Sequence, residues 1–247
     1  MKDGFLRTAA ATPKIRVADP QYNAKQIIEL MEQGESRGVK VMVFPELCLT
    51  GYTCSDLFLQ ASLLESVKRE LKHIVEASKK LHMIAFVGLP WEHEGKLYNA
   101  AAAISGGRIL GLVPKKNLPN YSEFYELRHF CPGQETVRWI KIDGERVPFG
   151  MNLLFSCEDI PGLVLAAEIC EDVWVPCPPS ISHAMAGATV IANCSASDET
   201  TGKDAYRRSL ICGQSARLVC GYIYANAGEG ESTQDLVFGG QNILAEN

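Results

Sequence analysis

The chain's 247 residues, 47% hydrophobic and 21% charged, can bury one large α/β core and have the make-up of a soluble globular domain. A net charge of −5 with no basic stripe speaks against a nucleic-acid surface, which needs clustered Lys and Arg. No run approaches the ~20 apolar residues of a membrane span, Met1 to Arg7 form no signal-peptide core, and nine cysteines without CxxC pairs make no disulfide framework, so a cytoplasmic protein without a membrane partner is expected.

Phe5 to Ala11 reads as a first strand. Asp19-Pro20 then supplies an N-cap with proline in the first turn, and Ala24, Ile27, Ile28 and Met31 fall on one face of the helix that follows. Gly38 precedes a second strand, Val39 to Phe44, completing a β-α-β unit. A helix from Ala61 to Leu81, apolar at Leu64, Val67, Leu71, Ile74 and Val75, delivers a strand from Met83 to Leu89. Leu97 to Ser105 and Arg108 to Val113 flank Gly106-Gly107, a two-residue hairpin signal, so the sheet should be mixed. Asn117 to Gly133, rich in proline, aromatics and charge, reads as a long ordered loop of the kind that carries function. Strands are expected at Val137 to Ile142, Met151 to Ser156, Leu163 to Ile169, Thr189 to Ala192 and Gly221 to Ala225, and helices at Ser180 to Ala188 and Lys203 to Val219. No repeat or low-complexity linker interrupts this alternation, and one domain over residues 1–247 is the simplest reading.

Three strands end on reactive side chains. Val39 to Phe44 runs into Pro45-Glu46, Arg108 to Val113 into Pro114-Lys115, and Leu163 to Ile169 into Cys170, followed at once by Glu171-Asp172-Val173-Trp174-Val175-Pro176. In open α/β sheets, ligand sites gather beyond the carboxyl ends of strands. An ordinary cysteine, with a pKa of about 8.5, is mostly thiol at neutral pH and needs a base or a cation to become a nucleophile. A carboxylate can take that proton, and an ammonium can hold an oxyanion. Each residue also has a plain structural reading: a buried thiol for Cys170, a helix cap for Glu46, a solvated doublet for Lys115-Lys116. Tyr52, Tyr121 and Tyr125 plug loops as readily as they line pockets. His73, His82, His93, His129 and His183 show no metal-ligand spacing, and only His129 or His183 could partner Cys170 in a Cys–His hydrolase.

Phe44-Pro45-Glu46-Leu47, Val113-Pro114-Lys115-Lys116-Asn117-Leu118-Pro119 and Glu168-Ile169-Cys170-Glu171-Asp172-Val173-Trp174-Val175-Pro176 resemble the three signatures of the nitrilase superfamily of carbon–nitrogen hydrolases. More closely, the chain resembles the glutaminase domain of bacterial glutamine-dependent NAD+ synthetases. Leu49-Thr50-Gly51-Tyr52, Tyr121 to Glu126, Asn193-Cys194-Ser195-Ala196-Ser197 and Gly230 to Gly240 add to that likeness, which spans essentially the whole chain.

The resemblance implies a four-layer α-β-β-α sandwich with Glu46, Lys115 and Cys170 as a catalytic triad. Glu126 matches an additional glutamate that helps position the lysine. Tyr52, Tyr121, Glu171 and Ser197 match the family's glutamine pocket, and Lys203 stands where an arginine is frequent. It further implies glutamine as ammonia donor, a homo-oligomer, and no metal or cofactor for hydrolysis. The implied partner is an NAD+ synthetase domain, in cis or in trans, to which ATP and Mg2+ belong. The chain has no Ser-Gly-Gly-x-Asp-Ser loop for ATP pyrophosphate, so amidation of nicotinic acid adenine dinucleotide is not expected on these residues. It stops at Asn242 to Asn247, where the family's domain continues into further strands, so a C-terminally incomplete domain is expected. The alternatives are a stand-alone amidase or nitrilase for another small amide, and an inactive module that docks onto a synthetase.

Overall fold

In the computed structural model, which describes residues 5–233 and 235–246, two β-sheets lie face to face between two pairs of helices. Residues 1–4, Gln234 of the Gly230 to Gly240 stretch, and Asn247 lie outside the described part. The first sheet contains β1 (Thr8–Ala10), β2 (Val41–Val43), β3 (Ile84–His93), β4 (Lys96–Ser105), β5 (Arg108–Pro114), β6 (Arg138–Ile142) and β7 (Glu145–Phe149), in the order β1-β2-β3-β4-β5-β7-β6. The second contains β8 (Phe155–Ser156), β9 (Val164–Ile169), β10 (Val190–Ser195), β11 (Gly221–Asn226) and β12 (Ile243–Ala245), in the order β12-β11-β10-β9-β8.

Helix α1 (Pro20–Ser36) starts where expected: Asp19 accepts the Tyr22 N–H at 3.0 Å, and Pro20 occupies the first turn. Together with α2 (Ala61–Ser78) it covers the outer face of the first sheet. Ile27, Met31, Val67, Leu71 and Ile74 pack there against alternate residues of β3 and β4. Across the other face, β4 contributes Ala101 and Ala103 to the layer between the sheets, while Ala100, Ala102 and Ile104 face the helices. This run of small residues, buried on both faces, lets helix, sheet and second sheet approach closely. On the far side, α3 (Pro179–Met185) and α4 (Lys203–Leu218) flank the second sheet, whose Ala166, Ile191, Tyr222 and Tyr224 pack with Ile211 of α4. The expected four layers are thus present.

The parallel runs and the β4–β5 hairpin follow the sequence pattern; Gly106 and Gly107 both take positive φ, +56° and +77°, as a tight two-residue turn requires. Elsewhere the expectations need correcting. The segment read as a strand from Met151 to Ser156 pairs only at Phe155 and Ser156, against Leu165 and Val164. The strand that pairs with β6 is instead β7, reached through Asp143-Gly144, again with two positive φ values, +48° and +88°. Asp-Gly is a strong hairpin signal in its own right, and it ends β6 before the chain reaches Met151. Helix α2 stops at Ser78 rather than Leu81, and α3 ends at Met185 ahead of Gly187, whose φ is +104°.

Candidate active site

At the ends of β2, β5, β9 and β10 the two sheets are tied together. Glu46 donates its backbone N–H to Ser195 O at 3.3 Å, and Ala196 returns its own N–H to Glu46 Oε2 at 3.0 Å. The turn carrying Glu46 lies directly on β3: a Cβ at Gly88 would stand 2.3 Å from Pro45 O and 2.4 Å from Leu47 N. Lys115 continues the β4–β5 pairing by one residue, through its N–H to Asn99 O at 2.8 Å. Cys170 follows β9 immediately and heads a short 3₁₀ turn, Cys170–Val173.

Lys115 is fully buried, and its Nζ lies 2.6 Å from Glu46 Oε1 and 2.7 Å from Glu126 Oε1. Tyr52 donates its hydroxyl to Glu126 Oε1 at 2.8 Å, and Asn99 Nδ2 donates to Glu46 Oε1 at 2.6 Å. A buried ammonium between two carboxylates makes physical sense, since burial without compensation is expensive. Burial draws the Lys115 amine down, but Glu126, Glu46 and Cys170 outweigh it and hold the ammonium well above its ordinary range. Burial pushes the Glu126 carboxyl up to about 7 against the pull of Lys115, with Glu46 adding to the rise.

Cys170 is 6% exposed. Burial, then Glu46, raise its thiol well above the ordinary value, while Lys115 and the Ala196 N–H pull the other way. At rest it is therefore a thiol in electrostatic contact with one ammonium and two carboxyl groups. Its φ of +43° is in the left-handed region, unusual for a residue with a Cβ. Asp172 holds the turn: its carboxylate accepts the N–H of Ile169 at 3.0 Å, the N–H of Asn117 at 2.8 Å and Asn117 Nδ2 at 2.9 Å. That links the cysteine's turn to the loop beyond Lys115.

Of the remaining expected residues, Tyr121 and Glu171 form a partly exposed rim next to Cys170. Tyr121 donates to the Glu171 carboxylate, 3.1 Å from each oxygen, and its ring meets Phe124 edge-on. The Lys203 ammonium pairs with Asp198 and lies 5.8 and 5.6 Å from the ring centroids of Phe124 and Trp174. Ser197 is buried; its N–H donates to Asn226 Oδ1 at 2.8 Å, and its hydroxyl faces Arg207 Nη2 at 3.3 Å. Tyr52 therefore joins the lysine cluster directly, whereas the side chains of Tyr121, Glu171, Ser197 and Lys203 bond to one another or to Arg207 and Asp198 rather than to Glu46, Lys115 or Glu126. A cavity of about 180 Å³ opens beside Tyr52, Phe58, Glu126 and Phe130, and Cys170 is not among the residues that line it. Among the described residues no group of three or more His, Cys, Asp or Glu is arranged to hold a metal ion, and no helix is long and apolar enough to cross a membrane.

Asn99 and Arg207 do not stand out in the sequence. Asn99 is a lone amide in the apolar run Leu97 to Ser105, and a polar side chain with no solvent face is the signal that could have marked it. Arg207, fully buried, donates to Asp198 O at 2.8 Å and to Glu199 Oε1 at 2.8 Å, and so braces the segment after β10.

The carbon–nitrogen hydrolase family model matches residues 7–241. A glutamine-dependent NAD(+) synthetase of Mycobacterium bovis is 46% identical over 99% of this chain, and that match covers 36% of the relative. The corresponding protein of Thermotoga maritima is 32% identical over 98% of the chain, covering 38% of its own length. The chain thus spans little more than a third of these curated relatives. A crystal structure of a glutamine-dependent NAD(+) synthetase from Cytophaga hutchinsonii superposes with a TM-score of 0.87 at 29% identity, over 98% of this chain and 39% of that one. A nitrilase-superfamily amidase from Nesterenkonia shares the fold, with a TM-score of 0.74 at 20% identity over 97% of this chain and 82% of that one.

Proposed function

The chain belongs to the carbon–nitrogen hydrolase family, and from that premise we propose a glutaminase that releases ammonia from the side-chain amide of glutamine. The observation that carries this reading is the Lys115 ammonium, 2.6 Å from Glu46 and 2.7 Å from Glu126, buried in the same cluster as the Cys170 thiol. The choice of glutamine draws on the 46%-identical relative named for glutamine dependence.

In the proposed reaction Glu46 takes the Cys170 proton as the sulfur attacks the amide carbon. A thiol held above its ordinary range by burial stays protonated until that moment, so a base must act with the attack. The oxygen of the tetrahedral intermediate takes up negative charge beside the Lys115 ammonium and the N–H of Glu171. Glu46 returns the proton to nitrogen, the C–N bond breaks, and ammonia leaves a glutamyl thioester on Cys170. Glu46 then deprotonates a water, which attacks the thioester and gives glutamate and the free thiol. Glu126 keeps Lys115 charged and in place. Tyr52, Tyr121, Glu171, Ser197 and Lys203 surround the substrate; the Glu171 carboxylate suits an α-ammonium and the Lys203 ammonium an α-carboxylate. We propose that the ammonia passes to an ATP- and Mg2+-dependent synthetase domain, in cis or in trans, that amidates nicotinic acid adenine dinucleotide.

The test is glutamate release from glutamine by this chain, run beside Cys170→Ala and beside simple aliphatic amides. Release that needs Cys170 and favours glutamine is expected. Faster turnover of the aliphatic amides would move the reading to a stand-alone amidase, and folded protein that hydrolyses neither would leave a docking role.

A further inference from the structure

We infer that Asn193, held from behind by Tyr222 and Glu168, is the positioning residue that aims the Cys170 nucleophile; this rests on the reading of Cys170 as the attacking group. Along β9, Leu165, Ala167 and Ile169 face the layer between the sheets, while Ala166 faces α3 and α4. The two-residue period of a strand would carry Cys170 to the helix side, with Ala166 and Glu168. Cys170 instead joins Ile169 in the inter-sheet layer, and its φ of +43° makes the switch. A residue with a Cβ keeps such a backbone only where its surroundings over-determine it.

The Cys170 N–H is the handle. It donates to Asn193 Oδ1 at 3.2 Å, and the Ser195 hydroxyl donates to the same oxygen at 2.7 Å. The amide's other end, Nδ2, donates to the Tyr222 oxygen at 2.9 Å. The Tyr222 hydroxyl in turn donates to Glu168 Oε1, and Glu168 Oε2 accepts the Ser180 N–H at 2.8 Å, where α3 begins. Asn193, Tyr222 and Glu168 are each at most 1% exposed.

The series is directional. At pH 8, above the value of about 7 to which burial raises it, Glu168 is ionised and only accepts, so Tyr222 must donate to it and thereby presents its lone pairs to Asn193 Nδ2. That fixes the amide with its oxygen toward Cys170. Without the Tyr222 oxygen the amide can turn over and set an NH₂ against the Cys170 N–H, releasing the one bond that holds the nucleophile's backbone from the helix side. The sulfur then loses its direction toward Glu46 and Lys115, and a displacement of about 1 Å at a reacting centre can cost ~100-fold in rate.

The experiment uses Tyr222→Phe, which keeps the ring and removes only the oxygen, in the 247-residue chain at pH 8. Two rates are read: carboxamidomethylation of Cys170 by iodoacetamide, followed on its own peptide by mass spectrometry, and kcat and KM for glutamine. Both the alkylation rate and kcat should fall about tenfold, with KM within about twofold; the unfolding temperature should drop by several degrees, since Glu168 and Asn193 lose a buried partner, with the variant still folded at the assay temperature. Adding Glu168→Gln should cost nothing further, because the series is already cut. Unchanged alkylation in Tyr222→Phe, a loss confined to KM, or losses that multiply in the double variant would overturn the inference. If Tyr222→Phe does not fold, Glu168→Gln alone must slow alkylation severalfold or the inference falls. A wild type that alkylates at Cys170 but hydrolyses no glutamine defeats the proposed substrate, while the alkylation rates still decide the role of Asn193.

Discussion

Replacing Lys115 by methionine removes an ammonium that lies 2.6 and 2.7 Å from two buried carboxyl groups and keeps most of its apolar length. Breaking a buried ion pair by deleting one partner costs ~3–5 kcal/mol, because the other charge stays buried. Two features hold the cost near the lower end. Glu126, already raised to about 7, can take a proton at neutral pH for ~1 kcal/mol or less. Glu46 keeps the Asn99 amide at 2.6 Å and the Ala196 N–H at 3.0 Å. The expected loss at pH 7 is therefore about 3 kcal/mol, a fall of ~1–2 M in the urea midpoint at an m-value of ~2 kcal/mol/M. The sign of the pH dependence follows from proton counting. Above pH 7 the folded variant holds a proton on Glu126 that the folded wild type has released, so its deficit should grow by ~1 kcal/mol from pH 7 to pH 8. Urea melts at pH 6, 7 and 8 measure this. A deficit under ~1 kcal/mol, or one that is flat across pH 7 to 8, would refute the view that Lys115 compensates both carboxyl groups.

Three further outcomes are expected. Tyr121→Phe loses a hydroxyl that lies 3.1 Å from both Glu171 oxygens at a site 55% exposed, so about 1 kcal/mol of substrate binding should go: KM for glutamine rises roughly fivefold with kcat unchanged, and a fall in kcat alone would contradict the rim assignment. Gly88→Ala places a Cβ 2.3 Å from Pro45 O, forcing the Glu46 turn to shift; a stability loss of ~1–3 kcal/mol and at least tenfold lower kcat should appear together in unfolding and steady-state assays. Burial raises the Glu168 carboxyl from an ordinary 4.5 to about 7, so the folded state holds a proton that the unfolded chain releases, and this group's contribution to stability falls by ~3 kcal/mol as pH rises through that window. Glu168→Gln removes that dependence, and a stability difference between variant and wild type that stays level from pH 4.5 to 7 would show the carboxyl is not raised.

Much of this protein is legible in the sequence because much of it is set by local patterning. Most strand and helix periods, the Asp19-Pro20 helix start and the Gly106-Gly107 turn are decided within a few residues, and the helix start and the turn are found where expected. The Asp143-Gly144 turn is equally local, but Glu145 to Phe149, the strand it feeds, is short, begins with two charged residues and contains Pro148, so its own pattern is weak. The Pro-Glu, Pro-Lys and Ile-Cys strand ends are short motifs, so the residues of the buried cluster could be named before any geometry. Tertiary structure alone decided what those residues are chemically. Asn99 and Glu126 reach Glu46 and Lys115 from 53 and 11 residues away, and only sheet pairing and the folded loop put them within hydrogen-bond range. Water exclusion, which no linear spacing encodes, then keeps the cysteine a thiol and lifts Glu126 to about 7, while the acidic groups gathered around the lysine hold it charged against that same burial. The inward turn of Cys170 and the fully buried Arg207 behind Ser197 belong to the same class, because both depend on hydrogen-bond partners supplied by other strands and helices.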